Sequence, residues 1–332
     1  MFRSAMLALL LGMSLFSPSA LSVDLLYVSM TDIPTDVTAS KIVTYDVSSG
    51  SSTAIKNSET ILVNSHLSNV HGLAISNRGV IYAANNNTNR IARFDMNGNY
   101  LNEIGDSSSL DAPVGLTFDA AGNLYATNSL SNYVSKFDSN DQFLSNFGTG
   151  YINKGHGIAV GQNGHLFVSS INNPVVPGND SYFSIFDSNG TFIKNITTSY
   201  NSIGVAISPN GNVLVSNYGD YSSNPTIPSS IQIFDESGNY ISSITNRLNG
   251  ATGFTIDSQG YIYVVNEPEW TINKYDPLGN YLFSWTTLGQ PRFLTFAPTV
   301  VPEPSSLVTG IVALSCLLFQ IGRKGKYTNK SG

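Results

Sequence analysis

Residues 72–105 read GLAISNRGVIYAANNNTNRIARFDMNGNYLNEIG, and the order of elements in this stretch decides the fold. A short Gly-led apolar strand, Gly72-Leu73-Ala74-Ile75, leads through a turn into a second strand. A third strand ends in aromatic-Asp, and a Gly-bearing turn opens a fourth. The first strand recurs as Gly115-Leu116-Thr117-Phe118, Gly157-Ile158-Ala159-Val160, Gly204-Val205-Ala206-Ile207 and Gly253-Phe254-Thr255-Ile256. The leading glycines are spaced 43, 42, 47 and 49 residues apart, a period that suits a four-stranded propeller blade and not a helical repeat. The aromatic-Asp endings are Tyr45-Asp46, Phe94-Asp95, Phe137-Asp138, Phe186-Asp187, Phe234-Asp235 and Tyr275-Asp276. Six endings predict an all-β, six-bladed propeller.

The Asp of each ending has a local task, accepting hydrogen bonds from the turn backbone, and Gly98, Gly190, Gly238 and Gly279 supply the positive φ of those turns. Closure is also legible. The first unit lacks a Gly-led strand before Leu25-Leu26-Tyr27-Val28-Ser29, and an unmatched strand, Arg292-Phe293-Leu294-Thr295-Phe296, comes last. The C-terminal strand is therefore expected to complete the first blade and leave no unpaired innermost edge.

These repeats resemble the NHL family, whose units read as a Gly-led strand, a D-x-x-G-like turn, an I-Y-V strand, a polar loop and an R-I-x-x-F-D strand. Residues 72–105 and 115–148 match best, and Asn89-Arg90-Ile91-Ala92-Arg93-Phe94-Asp95 keeps the family register intact. Elsewhere the chain departs from it. Asn85, Asn128, Asn217 and Asn266 stand where the family has an acidic residue, and the loop arginine survives only as Arg90.

The longest loops, Thr31 to Ser40, Asn172 to Tyr182, Asn217 to Ser229 and Glu267 to Trp270, all fall on one face, and long loops in compact domains tend to be functional. Tyr182, Tyr218, Tyr221 and Trp270 are the candidate contacts there for a protein or glycan, because Tyr and Trp combine contact area with a polar edge. His71 and His156 precede the first-strand glycines of alternate blades, at the channel mouth on the same face. In the NHL-like peptidyl-α-hydroxyglycine lyases, histidines from alternate blades bind zinc; the third alternate blade here offers Thr252. Glu267 approaches from the last blade. His71, His156 and Glu267 are thus the candidate ligands of a divalent metal, zinc or calcium, in an alternative reading as a metal-dependent lyase or gluconolactonase-like hydrolase. The favoured reading needs no cofactor and no catalytic residue: an exported cell-surface or matrix module that binds or scaffolds.

The two ends of the chain are addresses. Arg3, the apolar run Ala5 to Phe16, and small residues at Ala20 and Ser22 mark residues 1–22 as a signal peptide. After the propeller, residues 23–300, comes a tail, residues 301–332. It holds Pro302-Glu303-Pro304, an apolar stretch from Leu307 to Ile321 and a basic cluster with Arg323 and Lys324. Prolines stop regular structure, the stretch is long enough to span a bilayer, and cations stay on the cytoplasmic side. This order resembles the PEP-CTERM sorting signal, which implies processing by an exosortase-type enzyme in a Gram-negative bacterium, a membrane anchor before processing, and a final place at the cell surface beside surface protein or exopolysaccharide. Composition agrees. Only 11% of residues are charged and the net charge is −6, so no basic field exists to neutralise nucleic-acid phosphates. The single cysteine, Cys316, lies in the tail, which excludes intramolecular disulfides.

Overall fold

The computed structural model describes residues 24–31, 40–171, 181–220 and 226–298. Within them the chain forms six antiparallel sheets of four strands each, and the protein is a six-bladed β-propeller. The innermost strands are Val70–Ile75, Pro113–Phe118, Gly155–Val160, Ser202–Ile207 and Ala251–Ile256 for blades two to six. Blade one takes its innermost strand from the other end of the chain. Gln290–Phe296 lies against Leu25–Thr31, with Phe296 opposite Leu26 and Gln290 opposite Thr31. Closure by the C-terminal strand is therefore as the sequence predicts.

The second strand of every blade is covered on both faces. That is why Leu124–Asn128 and Ile262–Asn266 are buried at every position, and why they read as continuous runs instead of alternating. Cores form between neighbouring blades. Leu26, Val28 and Tyr45 of blade one pack with Ile272 and Trp285 of blade six, while Ala74 and Tyr82 of blade two pack with Leu116 and Phe137 of blade three. Several buried tyrosines keep a partner for the hydroxyl, as buried phenols usually do: Tyr125 donates to Asp119 at 3.0 Å and Tyr82 to Asp141 at 2.9 Å.

Strand-three aspartates organise the outer turns as expected. Asp95 Oδ1 accepts from the backbone N–H of Asn97 and Asn99, both at 2.9 Å, and Gly98 adopts φ +81°. The hydrogen bonds from Asn99 hold the Asp95 carboxyl below the usual carboxylate range. Blade one differs from the others. A short helix, Ser52–Asn57, with Ser51 accepting from the Ala54 N–H as its cap, is inserted before the outermost strand, and its Ile55 joins the seam between blades one and six. Among the described residues no helix is long and apolar enough to cross a membrane. The signal-peptide residues and the tail, with Pro302, Glu303, Pro304, Arg323 and Lys324, lie outside the described residues.

Candidate functional site at the channel mouth

Each innermost strand breaks its ladder at one equivalent place. In blade two Val70 pairs with Asn85 and Leu73 with Ala83, so His71 and Gly72 together face the single residue Ala84. The same two-against-one step sets Val114 and Gly115 against Thr127, His156 and Gly157 against Ser169, and Ile203 and Gly204 against Ser216. It sets Thr252 and Gly253 against Val265, and Arg292 and Phe293 against Ser29. These are β-bulges, which re-aim a side chain and leave local backbone groups unpaired.

The second member of each pair shows why glycine recurs. A Cβ on Gly72 would sit 2.0 Å from the Val114 carbonyl oxygen, and one on Gly115 would sit 2.1 Å from that of His156. Adjacent blades touch backbone to backbone here, and only a hydrogen fits between them. At the seam the pattern ends, and Phe293 occupies the equivalent position.

The residue opposite the bulge satisfies the displaced backbone. The Thr127 hydroxyl accepts from the Gly115 N–H at 2.8 Å and donates to the His156 carbonyl of the next blade at 2.6 Å. Ser169 does the same between Gly157 and Ile203, at 2.7 and 2.6 Å. Ser216 links Gly204 to Thr252, and Ser29 links Phe293 to His71. Four hydroxyls thus clasp neighbouring blades around the axis, while blades two and six place Ala84 and Val265 at this position.

Five of the six first members form the mouth, Val114 being buried beside it. His71, His156, Ile203, Thr252 and Arg292 line one cavity of about 280 Å³, together with Tyr218, Glu267 and Phe293. Glu267 arrives on a 3-10 turn, Glu267–Glu269, which carries Pro268 in its first turn and ends on Trp270 in a left-handed conformation. Its carboxylate forms an ion pair with Arg292 and accepts from Gln290 Nε2 at 2.9 Å. Arg292 Nε also donates to Thr31 at 3.3 Å.

Burial lies behind the electrostatics. It pushes the His71 imidazole down to about 3, helped by the nearby Arg292 charge and by His156. His156 is lowered too, chiefly by burial, with the Lys154 charge adding to the effect and its hydrogen bond to the Lys154 carbonyl opposing it. That 2.9 Å contact joins His156 Nδ1 to a carbonyl that can only accept, so the proton resides on Nδ1 and Nε2 keeps its lone pair. Glu267 is raised by burial, against the opposing influence of Arg292. Both imidazoles are therefore neutral at pH 7.

The candidate residues from the sequence separate clearly. His71, His156, Glu267 and Tyr218 come together in the cavity. Among the described residues, however, no group of three His, Cys, Asp or Glu is arranged to hold a metal ion, and the carboxylate offered by Glu267 is engaged by a guanidinium. Tyr182 is not presented on a loop: it opens the strand Tyr182–Phe186 and is buried. Trp270 ends the Glu267–Glu269 turn, where its carbonyl accepts from Thr287 at 2.9 Å. Tyr221 lies outside the described residues. The remaining histidines sit elsewhere, with His66 stacked on Tyr100 at 3.9 Å and His165 beside Asn163. Arg292 and Ile203 are additional mouth residues. Aligning Phe293-Leu294-Thr295-Phe296 with the Gly-led strands would have found the first, since Arg292 then falls in register with His71.

No protein-family model matches the sequence, and no curated protein matches it. Solved structures do match in fold. A chain of a nidogen/laminin complex is 13% identical with a TM-score of 0.65, covering 82% of this chain and 98% of that one. A protein of unknown function from Bacteroides caccae is 14% identical with a TM-score of 0.60, covering 83% and 100%. A gluconolactonase from Xanthomonas campestris is 14% identical with a TM-score of 0.57, covering 69% and 80%. At such identities the likeness is one of fold.

Proposed function

We propose that this protein is an exported, NHL-like binding propeller that captures a surface partner, a protein or a polysaccharide, through the mouth of its central channel. The observation that carries the reading is the bulge ring. It directs His71, His156, Thr252 and Arg292 from four different blades into one cavity of about 280 Å³, and concave sites with few convergent polar groups are where ligands bind. Display at a cell surface is supported by the signal-like N-terminus and the Pro-Glu-Pro tail. One of the matched folds belongs to a nidogen/laminin complex, which is compatible with a propeller that binds, and another to a gluconolactonase, which keeps the hydrolase reading in view. The Glu267–Arg292 pair favours binding over metal-dependent chemistry.

Capture of whole-cell polysaccharide and surface-protein fractions by the immobilised full-length chain tests this reading. Ile203→Trp, which fills the mouth, should abolish capture while circular dichroism and melting temperature stay near wild type. Capture that survives the plug puts the binding surface elsewhere and overturns the channel-mouth assignment.

A further inference from the structure

Resting on that reading, we infer that the cavity receives one neutral, hydroxyl-rich unit, a single sugar residue at the end or branch of a glycan, and does not receive an ion. The charges at the mouth cancel. Arg292 and Glu267, both in the cavity lining, neutralise one another as an ion pair. A free cation entering the cavity meets the Arg292 guanidinium, and a free anion meets the Glu267 carboxylate. A neutral ligand meets neither penalty.

The polar groups ask for hydroxyls in particular. A ligand hydroxyl both donates and accepts, which suits a site that combines an accepting carboxylate, a donating guanidinium and a His156 ring whose Nε2 accepts. Thr252 points the same way. It is only 8% exposed, and its hydroxyl makes no hydrogen bond, a condition that is costly in a folded protein. A 120° step about χ1 moves the hydroxyl to another staggered position, where a ligand hydroxyl in the cavity can supply the missing partner. The apolar remainder fits as well, because Phe293, Tyr218 and Ile203 offer surfaces for the C–H face of a sugar ring. At about 30 Å³ per water, 280 Å³ equals the volume of roughly nine waters. That is room enough for one hexose-sized unit.

The test measures binding of methyl glycosides of glucose, galactose, mannose and N-acetylglucosamine, of methyl glucuronoside, and of zinc and calcium ions to the full-length chain. Calorimetry supplies affinities and melting curves supply stability. At least one neutral glycoside is expected to bind. Thr252→Val should weaken it roughly tenfold, the value of one hydrogen bond, while leaving the melting temperature of the free protein unchanged or raised, because the hydroxyl removed has no partner without ligand. Binding of only the glucuronoside or only a metal ion overturns the neutral-sugar assignment. So does a neutral glycoside whose affinity is indifferent to Thr252→Val and to Ile203→Trp. If no monosaccharide binds but the Ile203→Trp plug still abolishes capture of a surface fraction, the sugar assignment fails and the channel-mouth reading stands. If the plug is also without effect, both fail.

Discussion

His71 and His156 are held neutral inside a protein whose unfolded chain would protonate them near pH 6.5. Between that value and about 3 for His71, the unfolded state binds more protons than the folded one, so stability falls as the pH falls. The slope is at most about 1.4 kcal/mol per pH unit for each imidazole. Glu267, raised in the folded state, acts in the opposite direction on acidification, so a comparison of variants is needed to isolate the histidines. Urea unfolding at pH 7 and pH 5 should show a larger loss for the wild type than for His71→Gln/His156→Gln; equal losses would show that the rings are not kept neutral by burial. The glycines beside them are as constrained. Gly115→Ala places a methyl group 2.1 Å from the His156 carbonyl oxygen, and overpacking against backbone is expected to cost about 3 kcal/mol or more, seen as a drop in the urea midpoint or as failure to accumulate soluble protein.

Within the innermost strands, the bulge and its clasp act as one device. Thr127→Val leaves the Gly115 N–H and the His156 carbonyl without the partner they share and should cost about 1–3 kcal/mol by denaturant unfolding. Ala84→Ser supplies a hydroxyl at the equivalent point of blade two, where there is none, and should stabilise by about 1 kcal/mol. A neutral result for both substitutions would show that the clasp does not contribute to stability. The repeated glycines made these strands and their number legible, since a period near 45 residues has few architectural solutions. The reason for the glycines was not legible. A bulge shifts pairing by one residue without altering composition, and the Ser or Thr at 29, 127, 169 and 216 reads as ordinary strand filling until the next blade is in place. The site was half legible for the same reason. His71, His156 and Glu267 stand out as titratable residues, but the Glu267–Arg292 pair joins a loop to a strand 25 residues later, and no local pattern announces it. Tyr182 misled because the end of a long loop and the start of a buried strand share one residue.

At the scale of the whole ring, the last strand is both structural and part of the site. Deleting residues 290–296 removes the partner of Leu25–Thr31 together with Arg292 and Phe293 of the mouth, and the truncated chain is expected to be insoluble or to lose its cooperative melting transition. The first and last strands also set a polarity. Leu26 and Phe296 pair at the end of blade one away from the mouth, while Thr31 and Gln290 pair beside it. A chain tethered through the proposed tail should therefore keep its mouth open to the medium. Leu130→Cys on the mouth side, 72% exposed, should label with an impermeant maleimide on intact cells more readily than Leu278→Cys in a short turn opposite, 88% exposed, with the wild type as the background for Cys316. Equal labelling would argue against that orientation.

The bulge separates two tasks that most protein sites entangle. Backbone, joined in four blades by a hydroxyl on the neighbouring strand, holds the blades together, so the contact between blades does not depend on which side chain stands at the first position of each bulge. Histidine, valine, isoleucine, threonine and arginine already occupy equivalent places in a single ring. A ring built this way can change what its mouth recognises while every blade keeps its shape.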